Sequence, residues 1–337
     1  MSGLAQPRRV ASDRPPCYGN SMMGMNPSCT VRAWQPGDLP RLERLLAEVF
    51  WADVASRARW KYLENPALPE PLVAVAEAGD GRLVACYPFV GRRFVLPGGP
   101  RLAVLGADLA VLPEYRVGGE LHGQLGLLAG ELARRVGAVF AYGFPNRDAY
   151  RVAKRLLGVK DWSVLEAWLL PLGSPGSALL RRGWSRLGSP RRDGFAGAPA
   201  GIPAADGEGL RDARFLRWRF GDARRYRFRL GSVSSGAYLV VAAAGRLGRD
   251  LLVVDFGPSA AEAELEALLR AEIADGRPRG VERLWVWCLP RSAMARAVER
   301  LHFRRAHERD MPVTADRLLE EPPARPAHLT IADADDP

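Results

Sequence analysis

Apolar positions recur along the chain in two periods, and each change of period falls at turn residues. Leu39, Leu42, Leu45, Leu46 and Val49 follow Asp38 at the spacing of one helix face, with Asp38 as the cap. A short strand at 30–34 and a turn at Pro36-Gly37 precede them. Continuous apolar runs predict strands at 72–78 and 83–90 around a turn at 79–81, with 93–96 as a third strand. The run 102–112 predicts a long strand that stops at Pro113. A helix over 119–136, a buried strand over 138–142, a helix over 147–157 and a closing strand over 164–170 follow. Further on, the same reading gives strands at 238–243 and 251–256, a helix over 260–273, a strand at 283–288 and a helix over 292–301. Alternating strands and helices of this kind predict an α/β fold with a mixed central sheet flanked by helices.

The later elements echo the earlier ones. A slide of 145 positions lays 103–158 on 248–303 without a gap, setting Pro113 on Pro258, Pro145 on Pro290, Arg151 on Arg296 and Arg155-Leu156 on Arg300-Leu301. Two copies of one supersecondary unit are therefore expected. The predicted organisation is a first domain at 30–172, a Gly/Pro/Ser/Arg-rich linker at 173–209 and a second domain at 210–315, between disordered ends at 1–29 and 316–337. The copies differ at one strand-to-helix turn, which reads Arg116-Val117-Gly118-Gly119 in the first and Ala261-Glu262-Ala263-Glu264 in the second.

Composition narrows the chemistry. At 337 residues, 47% hydrophobic and 26% charged, the chain is long enough for two cores. Cys17, Cys29, Cys86 and Cys288 have neither the spacing of a metal site nor that of a disulfide framework, so no metal is expected and a cytoplasmic setting is the default. No apolar run reaches the roughly 18 residues of a membrane span. The net charge of +10 raises the question of nucleic acid. Only Lys61, Lys154 and Lys160 are lysines, and an arginine bias alongside abundant Ala, Gly and Pro reflects base composition as readily as a selected surface. The segment 214–229 interleaves aromatics with arginines, and it reads as an amphipathic strand pair rather than a nucleic-acid groove.

A helix start offers unpaired N–H groups and the positive end of a dipole, and Gly118-Gly119 would let a ligand approach that backbone closely. At these residues the chain resembles the GNAT-type N-acetyltransferases, whose acyl-CoA loop follows a strand. Arg116 and Gly119 match two of its three marked places, and Leu121 replaces its last small residue. The lead-in from Asp108 to Tyr115 and the Asn146-x-x-Ala149 helix start are also similar. The resemblance implies a tandem acyl-CoA N-acyltransferase fold whose second copy is degenerate. It further implies that the backbone of Val111 and Leu112 lines the pantetheine arm, that the amides of Val117, Gly118, Gly119, Glu120 and Leu121 take the pyrophosphate, and that Asn146 borders the cofactor.

The tyrosine with which that family protonates the leaving thiolate is missing, its place falling on Ala153 or Lys154, and Tyr150 is the substitute one turn earlier. Deprotonating an amine of pKa near 10.4 at pH 7 costs about 4.6 kcal/mol. Asp108 and Glu77 are candidate carboxylates for that proton, and Trp60, Tyr62, Glu77 and Tyr142 are candidate acceptor contacts. His122 is read as a packing or surface residue, and Trp60 equally as a structural wedge, since Trp218 repeats it. The implied activity is transfer of an acyl group, acetyl foremost, from acyl-CoA to an amine on a small molecule or saccharide. The rival readings are an aminoacyl-tRNA-dependent transferase of the peptidoglycan-bridge type and a non-catalytic acyl-CoA-binding module.

Overall fold

The computed structural model describes residues 28–172, 206–221, 225–231, 237–244, 248–257, 260–276 and 281–333. The first half contributes strands β1 (Cys29–Ala33), β2 (Leu72–Ala78), β3 (Leu83–Leu96), β4 (Gly99–Gly106), β5 (Ala110–Val111), β6 (Phe140–Gly143) and β7 (Lys160–Pro171). Its helices are α1 (Leu39–Val49), α2 (Ala52–Ser56), α3 (Glu120–Arg135) and α4 (Arg147–Val152). The second half contributes helices α5 (Ala213–Phe220), α6 (Glu262–Gly276) and α7 (Ala293–Arg300). Its strands are β8 (Tyr226–Leu230), β9 (Tyr238–Ala244), β10 (Asp250–Phe256), β11 (Arg283–Cys288), β12 (Arg304–Arg305) and β13 (Met311–Arg317).

All thirteen strands join one mixed sheet, ordered β1-β2-β3-β4-β6-β13-β7-β11-β10-β9-β8, with β5 on β3 and β12 on β7. Two strand pairs are parallel, β4 with β6 and β10 with β11. Parallel neighbours need a crossover, and α3 and α6 supply it. A strand–helix–parallel strand–helix order occurs at β4-α3-β6-α4 and at β10-α6-β11-α7.

The closing strands depart from the expectation that each half completes itself. β7, which ends the first half, pairs with β11 of the second. β13, which ends the second half, pairs with β6 of the first. The two exchanged strands then pair with each other. Strand pairing is backbone chemistry and cannot be read from side-chain pattern, so the exchange is invisible in the sequence.

Other boundaries also moved. The expected strands at 83–90 and 93–96 form one, because Gly91 pairs with Val104 within an unbroken ladder and leaves room for Leu68 above it. The expected strand 102–112 is instead broken between β4 and β5. The linker lies outside the described residues except for 206–209. There, Gly207 donates to the Val95 carbonyl at 2.7 Å and Glu208 accepts from Val95 N–H at 2.9 Å, covering the edge of β3 that β2 leaves open.

The expected disorder from 316 onward is overturned for residues 316–333. β13 runs through Asp316, and Leu329, Thr330, Ile331 and Asp333 are buried. The cause is electrostatic as well as apolar. Asp333 accepts from Arg211 Nη2 at 2.5 Å and from Arg92 Nε at 2.9 Å, and the fully buried Arg211 also holds Asp255. The tail's Pro-rich, acidic composition predicts solvent exposure, but its Asp333 carboxylate satisfies guanidinium groups in the interior.

His328 sits in that cluster, edge-on to Phe256 at 4.8 Å between ring centres. Burial, and then the Arg211 guanidinium, hold its imidazole well below the ordinary histidine value, so it is neutral when folded. In the unfolded chain it protonates near pH 6.5. Below that pH the unfolded state binds the extra proton, and stability should fall by up to about 1.4 kcal/mol per pH unit. Urea unfolding at pH 7.5 and 5.5 should show this loss in the wild type and its removal in His328→Phe. Equal losses in both proteins would assign the pH dependence elsewhere.

Candidate functional site

β4 and β6 pair only through Val104↔Ala141 and Leu105↔Tyr142. Past that point the first strand breaks, passes through Asp108 at φ 41°, and resumes as β5 against β3. β6 is held on its other edge by β13 as far as Gly143↔Thr314. One strand is therefore tied to β3 and the other to β13, and between them opens a cleft of about 340 Å³. Its walls are mostly apolar, with Asp108, His122 and Asn146 as polar groups, and β13 brings Thr314 and Asp316 from the far half of the chain.

Asp108 is the unusual residue of this cleft. A left-handed conformation on a non-glycine residue costs on the order of 1–3 kcal/mol and persists only where the surroundings enforce it. Here Lys61 Nζ donates to its carboxylate at 2.6 Å, and the Tyr62 hydroxyl donates to the same oxygen. Both donors come from one helical turn, Arg59–Leu63, that follows α2. Burial pushes the Lys61 ammonium down to about 8, against the pull of Asp108. Burial, and then the Asp108 charge, push the Tyr62 phenol well above its usual value, which keeps it a donor.

Beside this trio the two halves meet through their shared aromatic-cation-aromatic motif. The Trp60 and Trp218 rings stack at 4.9 Å, and each indole donates to the other's backbone carbonyl, at 3.0 and 3.1 Å. Trp60 is therefore engaged as a wedge between the halves, as the repeat at Trp218 foreshadowed.

The two helix starts differ as their sequences imply. Gly118 and Gly119 have φ of 72° and 75°, and no side chain caps α3. The first N–H groups of α3 have no partner within the helix. In the second half Glu264 folds back, its carboxylate accepting from Ala261 N–H at 3.2 Å. Glu262, in the same turn, pairs with Arg296 and Arg300. One start is open to an anion and the other already carries its own.

The remaining sequence candidates fall as follows. Tyr142 and Asn146 line the cleft with Asp108, although Asn146 Oδ1 also caps α4 through the amides of Asp148 and Ala149. Arg116 Nε donates to the Val111 carbonyl at 2.8 Å, bracing the loop. The Leu112 amide is given to Val84 at 2.9 Å, so Leu112 offers no donor. Because adjacent residues of an antiparallel strand alternate in direction, the outward edge of β5 is that of Val111, whose carbonyl Arg116 holds. Glu120 opens α3 and accepts from Gln124, while the Leu121 side chain is buried, leaving only its amide. Tyr150 points away from the cleft, its hydroxyl donating to Asp161 at 2.6 Å. Glu77 is bound by Arg32 and Arg41 at the β1–β2 end of the sheet.

Two residues set aside in the sequence enter the site. Lys61 was legible only as the centre of the aromatic motif. His122 lines the cleft, with Nδ1 buried and unpartnered. Burial, and then Arg116, lower its pKa. A neutral imidazole offers one donor and one acceptor, the complement of an amide. Among the described residues no group of acidic, histidine or cysteine side chains has the arrangement of a metal site, and no helix is long and apolar enough to cross a membrane.

No family model matches the sequence, and no curated protein matches it. Solved structures do resemble the fold. A GCN5-related N-acetyltransferase from Kribbella flavida superposes with a TM-score of 0.58 at 15% identity, over 87% of this chain and 72% of that one. One from Anabaena variabilis gives 0.56 at 11% identity, over 86% and 73%. Eis1 from Mycobacterium abscessus gives 0.54 at 12% identity, over 86% and 74%. The chain has the fold of GCN5-related N-acetyltransferases, a mixed α/β sheet flanked by helices.

The Lys61–Asp108 pair makes a prediction about stability. Removing the carboxylate leaves a buried ammonium without its main partner, a loss of about 3 kcal/mol at pH 7. Above pH 8 Lys61 sheds its proton and the penalty should shrink. Urea unfolding of Asp108→Asn at pH 7 and pH 9.5 checks the direction. A penalty that is constant with pH would mean the pair is not ionic.

Proposed function

We propose that the protein is an acyl-CoA-dependent N-acyltransferase that moves an acyl group, acetyl foremost, directly to an amine. The observation that carries this reading is the parting of β5 from β6 beside an uncapped helix start. The residues fit the nucleotide. Two glycines leave the α3 amides bare, no side chain caps the helix, and the outward Val111 N–H can donate to an extended amide-containing arm. His122 can hold one of that arm's amides. When bound, acyl-CoA supplies a thioester carbonyl already activated for attack.

Asp108 and Lys61 serve the acceptor. The incoming amine must lose a proton as its nitrogen bonds to the acyl carbon, and the buried pair accepts it. A base whose pKa lies near working pH is efficient in that role, and Lys61 at about 8 satisfies the condition. Tyr62 holds the carboxylate at the break in the strand. The thiolate recovers its proton from water, since Tyr150 is turned to Asp161.

Two experiments test this. Gly118→Asp and Gly118→Asn share the same left-handed backbone demand, and a Cβ there meets nothing within 4 Å, so they differ in charge alone. Calorimetric titration should find acetyl-CoA bound at least about ten-fold more weakly by the Asp variant than by the Asn variant. Equal affinity would remove the pyrophosphate from α3. For turnover, Asp108→Asn should lower kcat by about 100-fold while leaving acetyl-CoA affinity unchanged. In Lys61→Met the rising limb of the pH–rate profile near pH 8 should disappear, and an unshifted limb would exclude the pair as proton acceptor.

A further inference from the structure

The acyl cleft has a second, smaller space on its inner side. A recess of about 20 Å³ adjoins it, sharing Leu105 and Tyr142 as common wall. Asp108 faces the cleft and its partner Lys61 faces the recess, so the proton-accepting pair stands at the junction. The recess in turn shares Gly91, Arg92, Phe215 and Trp218 with an outer pocket of about 90 Å³ between the halves. A series of spaces thus runs from the surface, past the stacked tryptophans, to the wall of the cleft. Its narrow section holds about one amine-sized group and its outer section a few heavy atoms more.

The charges along this series are not balanced at its mouth. Arg92 is committed to Asp333, with its guanidinium 3.3 Å from the centre of the Phe215 ring. Asp212 is committed to the Phe215 amide as the cap of α5. Arg93 and Arg214 also line the mouth, both are exposed, and neither guanidinium has a side-chain partner among the described residues. They come from different halves, one from β3 and the other from α5. Two unmatched planar donors around a small pocket suit a carboxylate or phosphate.

Resting on the acyltransferase reading, we infer that the acceptor is a small amine bearing an acidic group. Its amine enters the recess at Lys61 and Asp108, and its acid is held by Arg93 and Arg214. The second half of the chain is then part of the acceptor site, through α5. The cationic surroundings also favour the neutral, nucleophilic form of the amine.

The test is coenzyme A release by the full-length protein with matched acceptors. Glycine, 3-aminopropionate and 4-aminobutyrate are each compared with their amides, and phosphoethanolamine with ethanolamine. The expected result is a kcat/KM at least about ten-fold higher for the acidic member of one pair. The carboxylate and phosphate arms show which acid is used. Arg93→Gln and Arg214→Gln should each reduce that preference about five-fold, through KM. Acetyl-CoA affinity is measured alongside. If acetyl-CoA binds and the acidic members show no advantage, or none is turned over, this inference is overturned alone. If acetyl-CoA does not bind, the acyltransferase reading fails and this one with it.

Discussion

The antiparallel pairing of β7 with β13 at the centre of the sheet is the contact on which the rest depends. Each strand ends one half of the chain and is built into the other half's sheet. Without this pair of strands, β6 and β11 would be edge strands with open hydrogen-bonding groups. With it, two modest sheets become one, and neither half has a complete sheet without the other. The tail beyond β13 extends the same dependence, because Asp333 satisfies Arg92 from the first half and Arg211 from the second.

The cleft is a consequence of that arrangement. A strand can leave its parallel neighbour only if its backbone is satisfied elsewhere. β13 satisfies β6, and β3 satisfies β5, so the two part where Asp108 bends the chain. The strain at Asp108 is held by Lys61 and Tyr62, which belong to a turn braced by the Trp60–Trp218 stack. The second half therefore supports the site of the first from two directions, by a strand below and by an aromatic wedge beside it.

The starts of α3 and α6 differ electrostatically. Both halves carry a helix after a strand, and both helix starts have the same need for an acceptor. In α6 the need is met by Glu264 from within the helix. In α3 glycines stand where such a carboxylate would be, and no side chain caps the helix. Several arginines are committed inside the molecule to the carboxylates of Asp333, Asp255 and Glu272.

Local patterns carried much of this into the sequence. The helix after Asp38, the strands flanking it and the two helix starts, glycine in one and glutamate in the other, were legible because each depends on residues close in the chain. The positions of Asp108, Tyr142 and Asn146 at strand ends and a helix start, where they line the cleft, were legible for the same reason. The strand exchange, the burial of an acidic tail, the engagement of Tyr150 and Glu77 by other partners, and the entry of Lys61 and His122 into the site were not. These depend on which distant backbone and charged groups satisfy one another. Periodicity records the face a residue turns to the core, but it holds no information about the partner waiting there.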